Sequence, residues 1–274
     1  MFLKRASVCL RIGPNNNFEG FCMKIISWNI NKKSSQEVLS HLENQKADIY
    51  LLQEVTNSFQ QQLHQLAIDG TLIWANKPQN TNSEGSAILA PRMKLKEINV
   101  GKLEGWICLA ECETQSGSFL TASIHAPTST KALRHFQLTG LSCSNWIIEC
   151  ALPILEELTS NYSNAIIGGD TNCAVATGKQ LGMKYAQAHQ AFSMKFGYEE
   201  IFMQKRGEAT TKDCEKEVPT YRSKRMPQKA LGWYMCNDHF FVRGPILDKI
   251  SSCFVLYKPE PPSDHAPIEL QINL

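Results

Sequence analysis

Residues 48–54 read Asp48-Ile49-Tyr50-Leu51-Leu52-Gln53-Glu54, a nearly unbroken run of β-prone apolar side chains that stops at an amide and a carboxylate. The alternation of a half-exposed strand is missing, so the run predicts a strand covered on both faces. Working outward, Met23-Lys24-Ile25-Ile26-Ser27-Trp28-Asn29-Ile30 reads the same way and predicts a buried strand over 24–29. Between the two, Ser34 and Glu37 have the spacing of a capping box, and Val38, Leu39 and Leu42 give one apolar helical face up to about Gln45. Beyond Glu54, Phe59, Leu63 and Leu66 supply the buried stripe of a second helix. The chain therefore opens β-α-β-α.

From residue 71 the pattern changes to short strands, predicted at 71–75, 85–90, 94–99, 106–113 and 118–124. Together they read as an antiparallel meander, with Cys108, Ala110 and Cys112 sharing one face of the fourth. A long helical stretch follows from Lys131 to about Ser160, with Leu133, Phe136, Leu141, Ile147, Ile148, Leu152 and Leu155 facing inward and Pro153 as the expected kink. Ala165-Ile166-Ile167-Gly168-Gly169 is a strand running into a glycine pair, and a helix is expected from Lys184 to Phe196. The tail returns to strands at 218–222, 236–242, 246–256 and 266–273. Two groups of strands with outlying helices imply an α/β (α+β) fold, a four-layer α/β/β/α sandwich of two packed mixed sheets. Strand ends on one rim of such a sandwich gather polar residues.

The 274 residues, 43% hydrophobic and 20% charged, exclude a disordered, collagen-like or coiled-coil chain. No apolar run reaches the roughly 18–20 residues of a bilayer span; the most apolar stretch, Trp146 to Leu158, is broken by Glu149, Pro153, Glu156 and Glu157. The turn-rich Gly13-Pro14-Asn15-Asn16-Asn17 separates a leader, 1–22, expected to be disordered, from one domain over 23–274 with Met23 as its working start. That leader holds Lys4, Arg5 and Arg11 against Glu19, out of 28 basic and 26 acidic side chains in all, so the body carries 25 of each. The leader makes a poor secretion signal, because Lys and Arg interrupt its apolar stretch. Ten scattered cysteines without a CxxC pair are expected to be reduced, mostly buried fillers, and the protein intracellular, in the cytoplasm.

Four places put polar groups at the carboxyl ends of apolar strands, where sites are built: Asn29, Glu54, the Asp170/Asn172 pair and Asp264/His265. Singly, each has a plainer role as a turn residue, helix cap or solvated loop; four in this order are harder to dismiss. Apart from the histidine they offer oxygen, which suits Mg²⁺ or Mn²⁺ rather than Zn²⁺. His125, in Ser123-Ile124-His125-Ala126-Pro127, adds an acid or a phosphate contact, with a hydrogen-bonded structural histidine as the plainer reading.

With these residues in place the chain resembles the endonuclease/exonuclease/phosphatase superfamily of deoxyribonuclease I, abasic-site endonucleases and inositol-phosphate phosphatases. The resemblance rests on Ile26-Ser27-Trp28-Asn29, on Leu52-Gln53-Glu54-Val55, on Glu84-Gly85-Ser86-Ala87-Ile88-Leu89, on Ser123-Ile124-His125, on Gly169-Asp170-Thr171-Asn172, on Asn237-Asp238-His239-Phe240 and on Ser263-Asp264-His265-Ala266-Pro267, in the family's order. It implies phosphoester hydrolysis at one metal-centred site: Glu54 binds Mg²⁺ or Mn²⁺, assisted by Asn29 and Asp264, and Asn172 donates to a non-bridging phosphate oxygen. Either Asp170 or His265, the latter oriented by Asp238, takes the proton of the attacking water. His125 would pair with Glu84 near the leaving oxygen. Thr171 stands where the family carries an aromatic or apolar residue, and His239 follows Asp238 in place of Arg or Tyr. Both the Trp-Cys-Asp-Arg of inositol-phosphate 5-phosphatases and an arginine after Asn172 are absent.

Between Tyr221 and Asp238, Arg222, Lys224, Arg225 and Lys229 precede Trp233 without an intervening acid, a pattern suited to gripping a phosphate backbone and stacking on bases. The expectation is a nuclease acting on DNA rather than RNA. A phosphatase or phosphodiesterase of a small or lipid phosphate shares the same centre, and a non-catalytic binding module on the same fold is the third reading. The sequence names no protein partner.

Overall fold

The computed structural model describes residues 22–77, 84–115, 117–173, 188, 191–201, 220–222 and 236–274. Strand β1 (Cys22–Asn29), helix α1 (Gln36–Gln45), β2 (Ile49–Thr56), α2 (Asn57–Leu63), β3 (Thr71–Asn76) and β4 (Glu84–Ala90) form the first half. There follow β5 (Leu95–Ile98), β6 (Ile107–Thr114), β7 (Gly117–His125), α3 (Thr130–His135), α4 (Cys143–Trp146), α5 (Leu152–Thr159) and β8 (Ala165–Asp170). The rest comprises β9 (Glu199–Glu200), β10 (Asp238–Arg243), β11 (Ile250–Val255) and β12 (Ile268–Asn273).

Two six-stranded mixed sheets result, ordered β11-β12-β1-β2-β4-β3 and β5-β6-β7-β8-β10-β9. Each holds one parallel pair, β1–β2 in the first and β7–β8 in the second. The expected meander is thus divided, β3–β4 closing one sheet and β5–β7 opening the other.

Three apolar layers account for the four-layer architecture. Strand periodicity sends Ile25, Ile49 and Leu51 inward, where they meet Cys108, Ala110, Cys112, Ile166 and Phe240 of the second sheet. The alternate residues Ile26, Trp28, Tyr50 and Leu52 pack outward against Val38, Leu42, Phe59 and Leu63 of α1 and α2. On the far side Leu120, Ala122 and Ile124 meet Leu133, Trp146, Leu152 and Leu155. Double coverage is why β1 and β2 lack the polar alternation of an exposed strand.

The glycine pair lies where the sheets leave no room. A Cβ on Gly168 would stand 2.7 Å from Leu51 Cδ1 and from Phe240 Cε1, and one on Gly169 (φ +155°) would stand 1.9 Å from the Ile124 carbonyl oxygen. Just above, Ser123 Oγ donates to the Leu52 carbonyl (2.9 Å) and accepts from Gln53 Nε2 (3.0 Å), a buried polar tie across the sheets directly under the strand ends.

Several local expectations are corrected. Helix α1 is capped at Ser35, with no side-chain bond, rather than through a Ser34–Glu37 box, because the helix begins one residue later. The stretch from 131 to 160 is two helical runs. The first helix ends at His135, followed by Gln137 in a left-handed conformation (φ +53°), and the Ser142 cap, whose Oγ accepts from Asn145 N, starts the next. The turn at Ile147–Ala151 widens to π geometry immediately ahead of Pro153, so the helical run continues from Cys143 to Thr159 past the proline that was expected to kink it. Leu141 falls in the resulting loop and is exposed, not inward. Residues Pro245–Lys249 form a 3₁₀ turn rather than the start of a strand. Of the helix expected from Lys184 to Phe196, residues 191–196 are helical and most of the remainder lies outside the described residues; of the 218–222 strand, Tyr221 makes a single bridge to His265. The leader up to residue 21 also lies outside them, while Cys22 already belongs to β1. Six of the eight described cysteines are buried and all eight are free thiols. Among the described residues no helix is long and apolar enough to cross a membrane.

Candidate active site

Parallel pairing puts the carboxyl ends of β1 and β2 together, with Asn29 opposite Gln53, and those of β7 and β8 together, with His125 opposite Asp170. Antiparallel β10 places Asp238, its first residue, opposite Asp170 as well. Asn29, His125, Asp170, Asp238 and His265 are all buried at this rim, with Glu54 half-buried beside them.

Glu54 reaches the rim through a bulge. Between Leu52–Ala87 and Val55–Gly85 the β2–β4 ladder gains one residue on β2, and Glu54 adopts φ +56°. A left-handed conformation costs a non-glycine residue roughly 1–2 kcal/mol, and here it turns the carboxylate sideways, where Asn29 Nδ2 donates to Oε1 at 3.3 Å. The same amide donates to Asp170 Oδ2 at 2.9 Å, while Asn29 Oδ1 accepts from Asn31 N at 2.9 Å.

Asp170 is the hub. Its Oδ1 accepts from Asn172 N (2.8 Å), and its Oδ2 lies 3.7 Å from His265 Nε2 and 4.0 Å from His125 Nε2. Burial pushes its carboxyl up to about 7, aided by Asp238 and opposed by His265 and the hydrogen bonds from Asn29 and Asn172. Asp238 Oδ2 pairs with His265 Nδ1 at 2.9 Å. Burial alone would pull the imidazole down, but Asp238, Asp170 and Asp264 outweigh it and hold His265 at about 10. Asp264 is itself raised, first by burial and then by Glu54, against the pull of His265.

The segment bearing Asp264 and His265 is bolted to β1: Trp28 Nε1 donates to the His265 carbonyl (2.9 Å), and Ser263 Oγ donates to the Asn29 carbonyl (2.7 Å) and accepts from His265 N (3.1 Å). Thr220 Oγ1 accepts from Asn237 N and Asp238 N, and the Thr220 carbonyl from Ala266 N, which joins the two halves of the Asp238–His265 pair. None of Trp28, Ser263 and Thr220 stands out as functional in the sequence, since each acts through contacts distant along the chain.

The expected His125–Glu84 pair is replaced. Lys77 Nζ lies 2.7 Å from His125 Nδ1 and 3.5 Å from Glu84 Oε1, so a lysine stands where the carboxylate was expected, and Glu84 Oε2 meets Lys32 Nζ at 2.7 Å. Lys77 directly follows an apolar strand, a signal close to the one that singled out Asn29 and Glu54, and sequence reasoning passed over it. His239 is buried between Glu200 Oε1 and the Cys236 carbonyl, a brace between β9 and β10 that leaves Asp238 facing His265. Thr171 Oγ1 donates to the Asn237 carbonyl, holding the β8 end to the β10 start. Asn172 Nδ2 donates one of its two amide hydrogens to the Ala126 carbonyl. Arg222 ion-pairs with Glu260 and donates to the Pro261 and Ser263 carbonyls, bracing the segment before Asp264. Lys224, Arg225, Lys229 and Trp233 lie outside the described residues.

The donor set fits a divalent cation. Asp170, Asp238 and His265 bring one ligand atom each within 4.8 Å of one another, and since His265 Nδ1 is already bonded to Asp238, the carboxylates of Glu54 and Asp264 beside them complete the oxygen donors a cation would take. Burial first, and neighbouring carboxylates after it, raise the carboxyls of Asp170 and Asp264, a cost that a hard cation on the same rim would relieve.

The sequence profile of the Endonuclease/Exonuclease/phosphatase family matches residues 26–265, a span that holds every strand end described above. The chain belongs to that family. No curated protein sequence matches it. Among solved structures, an AP endonuclease from Archaeoglobus fulgidus superposes with a TM-score of 0.64 at 17% identity, covering 92% of this chain and 100% of the other. The 3'-5' exonuclease from Neisseria meningitidis gives 0.67 at 16%, covering 92% and 100%. The endonuclease domain of TRAS1, a telomere-specific non-LTR retrotransposon, gives 0.61 at 18%, covering 92% and 99%. At such identities the likeness concerns the family's two-sheet fold.

Proposed function

We propose that this family member is a metal-dependent phosphodiester hydrolase acting on DNA. The observation that carries the reading is Asp170 Oδ2 flanked by the Nε2 atoms of His265 and His125, with Glu54 on the same rim. Glu54 and Asp264 would hold Mg²⁺ or Mn²⁺, with Asn29 beside them on the same rim, donating to Glu54 and Asp170. The bound cation would polarise the phosphate as a Lewis acid.

The two candidate bases separate on electrostatics. His265, held at about 10 with Nδ1 on Asp238, is a cation near neutral pH; its Nε2–H suits a non-bridging phosphate oxygen and offers no site for a proton. Asp170, placed near 7, is poised to take the proton of an attacking water. The Asn172 amide hydrogen not taken by the Ala126 carbonyl would be a further donor to developing negative charge. A nucleic-acid substrate is favoured by the endonuclease and exonuclease names of the structural neighbours, and DNA among them by the AP endonuclease and the retrotransposon endonuclease. The balanced charge of residues 23–274 favours the second reading, a small or lipid phosphate.

A hydrolysis panel tests this: plasmid, single-stranded DNA, abasic duplex, RNA and inositol phosphates, each with Mg²⁺, Mn²⁺ or chelator. Cleavage of a DNA substrate, abolished by chelator, is expected. Faster turnover of inositol phosphates would move the assignment to the second reading, and no turnover at all would leave a binding module.

A further inference from the structure

Lys77 has no part in the mechanism above, yet it is the side chain that touches His125. It follows the last residue of β3 and is 3% exposed, with Nζ at 4.3 Å from the centroid of the Trp106 ring. Burial of a lysine is costly unless its charge is met, and here it is met by the ring face, by Glu84 Oε1 at 3.5 Å and by His125 Nδ1 at 2.7 Å. Glu84 is in turn held by Lys32 at 2.7 Å, so the lysine rests on a fixed base.

An ammonium group has donors only. The Nδ1 it faces must therefore accept, and the single proton of a neutral imidazole then sits on Nε2. That atom is 3.7 Å from Glu54 Oε1 and 4.0 Å from Asp170 Oδ2, inside the catalytic cleft. His265 has the opposite arrangement, with a carboxylate on Nδ1 that makes the ring basic and charged. One rim thus carries two imidazoles with different tasks, set by a carboxylate behind one and a lysine behind the other.

We propose that Lys77 is a positioning residue: by donating to Nδ1 it locks His125 as a neutral Nε2–H donor aimed at a phosphate oxygen of the substrate. The identity of that ligand rests on the phosphodiesterase reading, whereas the locked tautomer does not. Polarisation through the ring by the adjacent ammonium strengthens the donor without adding a second imidazolium beside His265.

The test has two arms. Long-range ¹H–¹⁵N correlation on the full chain labelled at histidine, with the His125 signals identified from their loss in His125→Gln, is expected to show the neutral Nε2–H form at pH 7 in wild type and in Lys77→Arg. In Lys77→Met, confirmed folded by circular dichroism, the tautomers should mix. A wild-type His125 that is Nδ1–H or doubly protonated would overturn the proposal, as would an unchanged spectrum in Lys77→Met. Should Lys77→Met fail to fold, the wild-type and Lys77→Arg spectra still decide. In the kinetic arm, Lys77→Met should lower kcat about 10–100-fold, the size of loss seen when the partner behind a metal-bound imidazole is removed, with KM changed less than about threefold and most of the rate restored by Lys77→Arg. In a His125→Gln background the same change should cost nothing further; an equal loss there would mark Lys77 as merely structural. Absence of any hydrolysis by wild type would refute the function and leave the spectroscopic arm to decide on Lys77.

Discussion

Replacing Asp238 by Asn keeps the shape of the side chain and an acceptor beside His265 Nδ1, 2.9 Å away, but removes the charge that faces it. Among the influences that raise His265, Asp238 is the largest, acting against burial. The gap between about 10 and the ordinary 6.5 corresponds to about 5 kcal/mol at 1.36 kcal/mol per pH unit, the net of what Asp238, Asp170 and Asp264 supply once the opposing cost of burial is met. In Asp238→Asn, burial should prevail and His265 should titrate below 7. A folded-state value above the unfolded one stabilises the native state fully below about 6.5, and that stability fades as pH rises through about 10. The variant should therefore lose about 2–4 kcal/mol at pH 6, less than the 3–5 typical of breaking a buried pair because the hydrogen bond survives. At about 2–4 °C per kcal/mol for a chain of this size, Tm falls by roughly 5–15 °C, and the difference from wild type shrinks towards pH 10. Urea unfolding at pH 6, 8 and 10, with NMR titration of His265, measures both. If His265 stays protonated at pH 8 in the variant, or the stability loss is the same at pH 6 and pH 10, the electrostatic account of the pair is refuted. Loss of the cation should also lower kcat/KM about 10²–10³-fold, in the range of removing one charge-stabilising donor.

Other consequences can be checked separately. Gly169→Ala should cost more than about 3 kcal/mol, above ordinary overpacking because the new Cβ meets backbone, whereas Gly101→Ala, at φ +57° with open space around it, should cost about 1–2 kcal/mol from left-handed backbone strain alone; urea unfolding measures both. Ser123→Ala should cost about 1–3 kcal/mol by leaving the Leu52 carbonyl and Gln53 Nε2 without their cross-sheet partner, and should speed hydrogen exchange in β2 and β7; unchanged exchange would show that the sheets are held elsewhere. Because burial holds the Asp264 carboxyl above its ordinary range, protons compete with a cation there. The Tm gain from Mg²⁺ should accordingly be largest at pH 8, reaching the equivalent of about 2.7 kcal/mol at a hundredfold excess over Kd, and should fall below about half that at pH 5; chelator should abolish it at both.

Much of the architecture was legible because coverage leaves a mark on composition. Strands β1 and β2 are apolar on both sides since each separates two cores, and the break to Asn29 or Glu54 marks the point where the sheet meets solvent. What was not legible depends on contacts distant along the chain. The bulge that turns Glu54 is a property of the β2–β4 register, invisible in Leu52-Gln53-Glu54-Val55 itself. Lys77 could have been noticed by its place after a strand, but its partner His125 is 48 residues away, and only folding shows that it, not Glu84, touches that ring. The break in the 131–160 helix was hidden by apolar spacing that persists through the loop, leaving Leu141 at the surface. Asp238 and His265, 27 residues apart, were paired in advance only through the family resemblance; the structure supplies the 2.9 Å contact.

The central claim is that Asp170 and His265 perform metal-assisted attack on a phosphodiester. Initial rates of phosphodiester hydrolysis by wild type, Asp170→Ala and His265→Ala, with Mg²⁺ and with chelator, test it most directly. The account predicts turnover by wild type with Mg²⁺ alone and a loss of about 10²-fold or more in each variant; full activity in chelator, or in either variant, would contradict it.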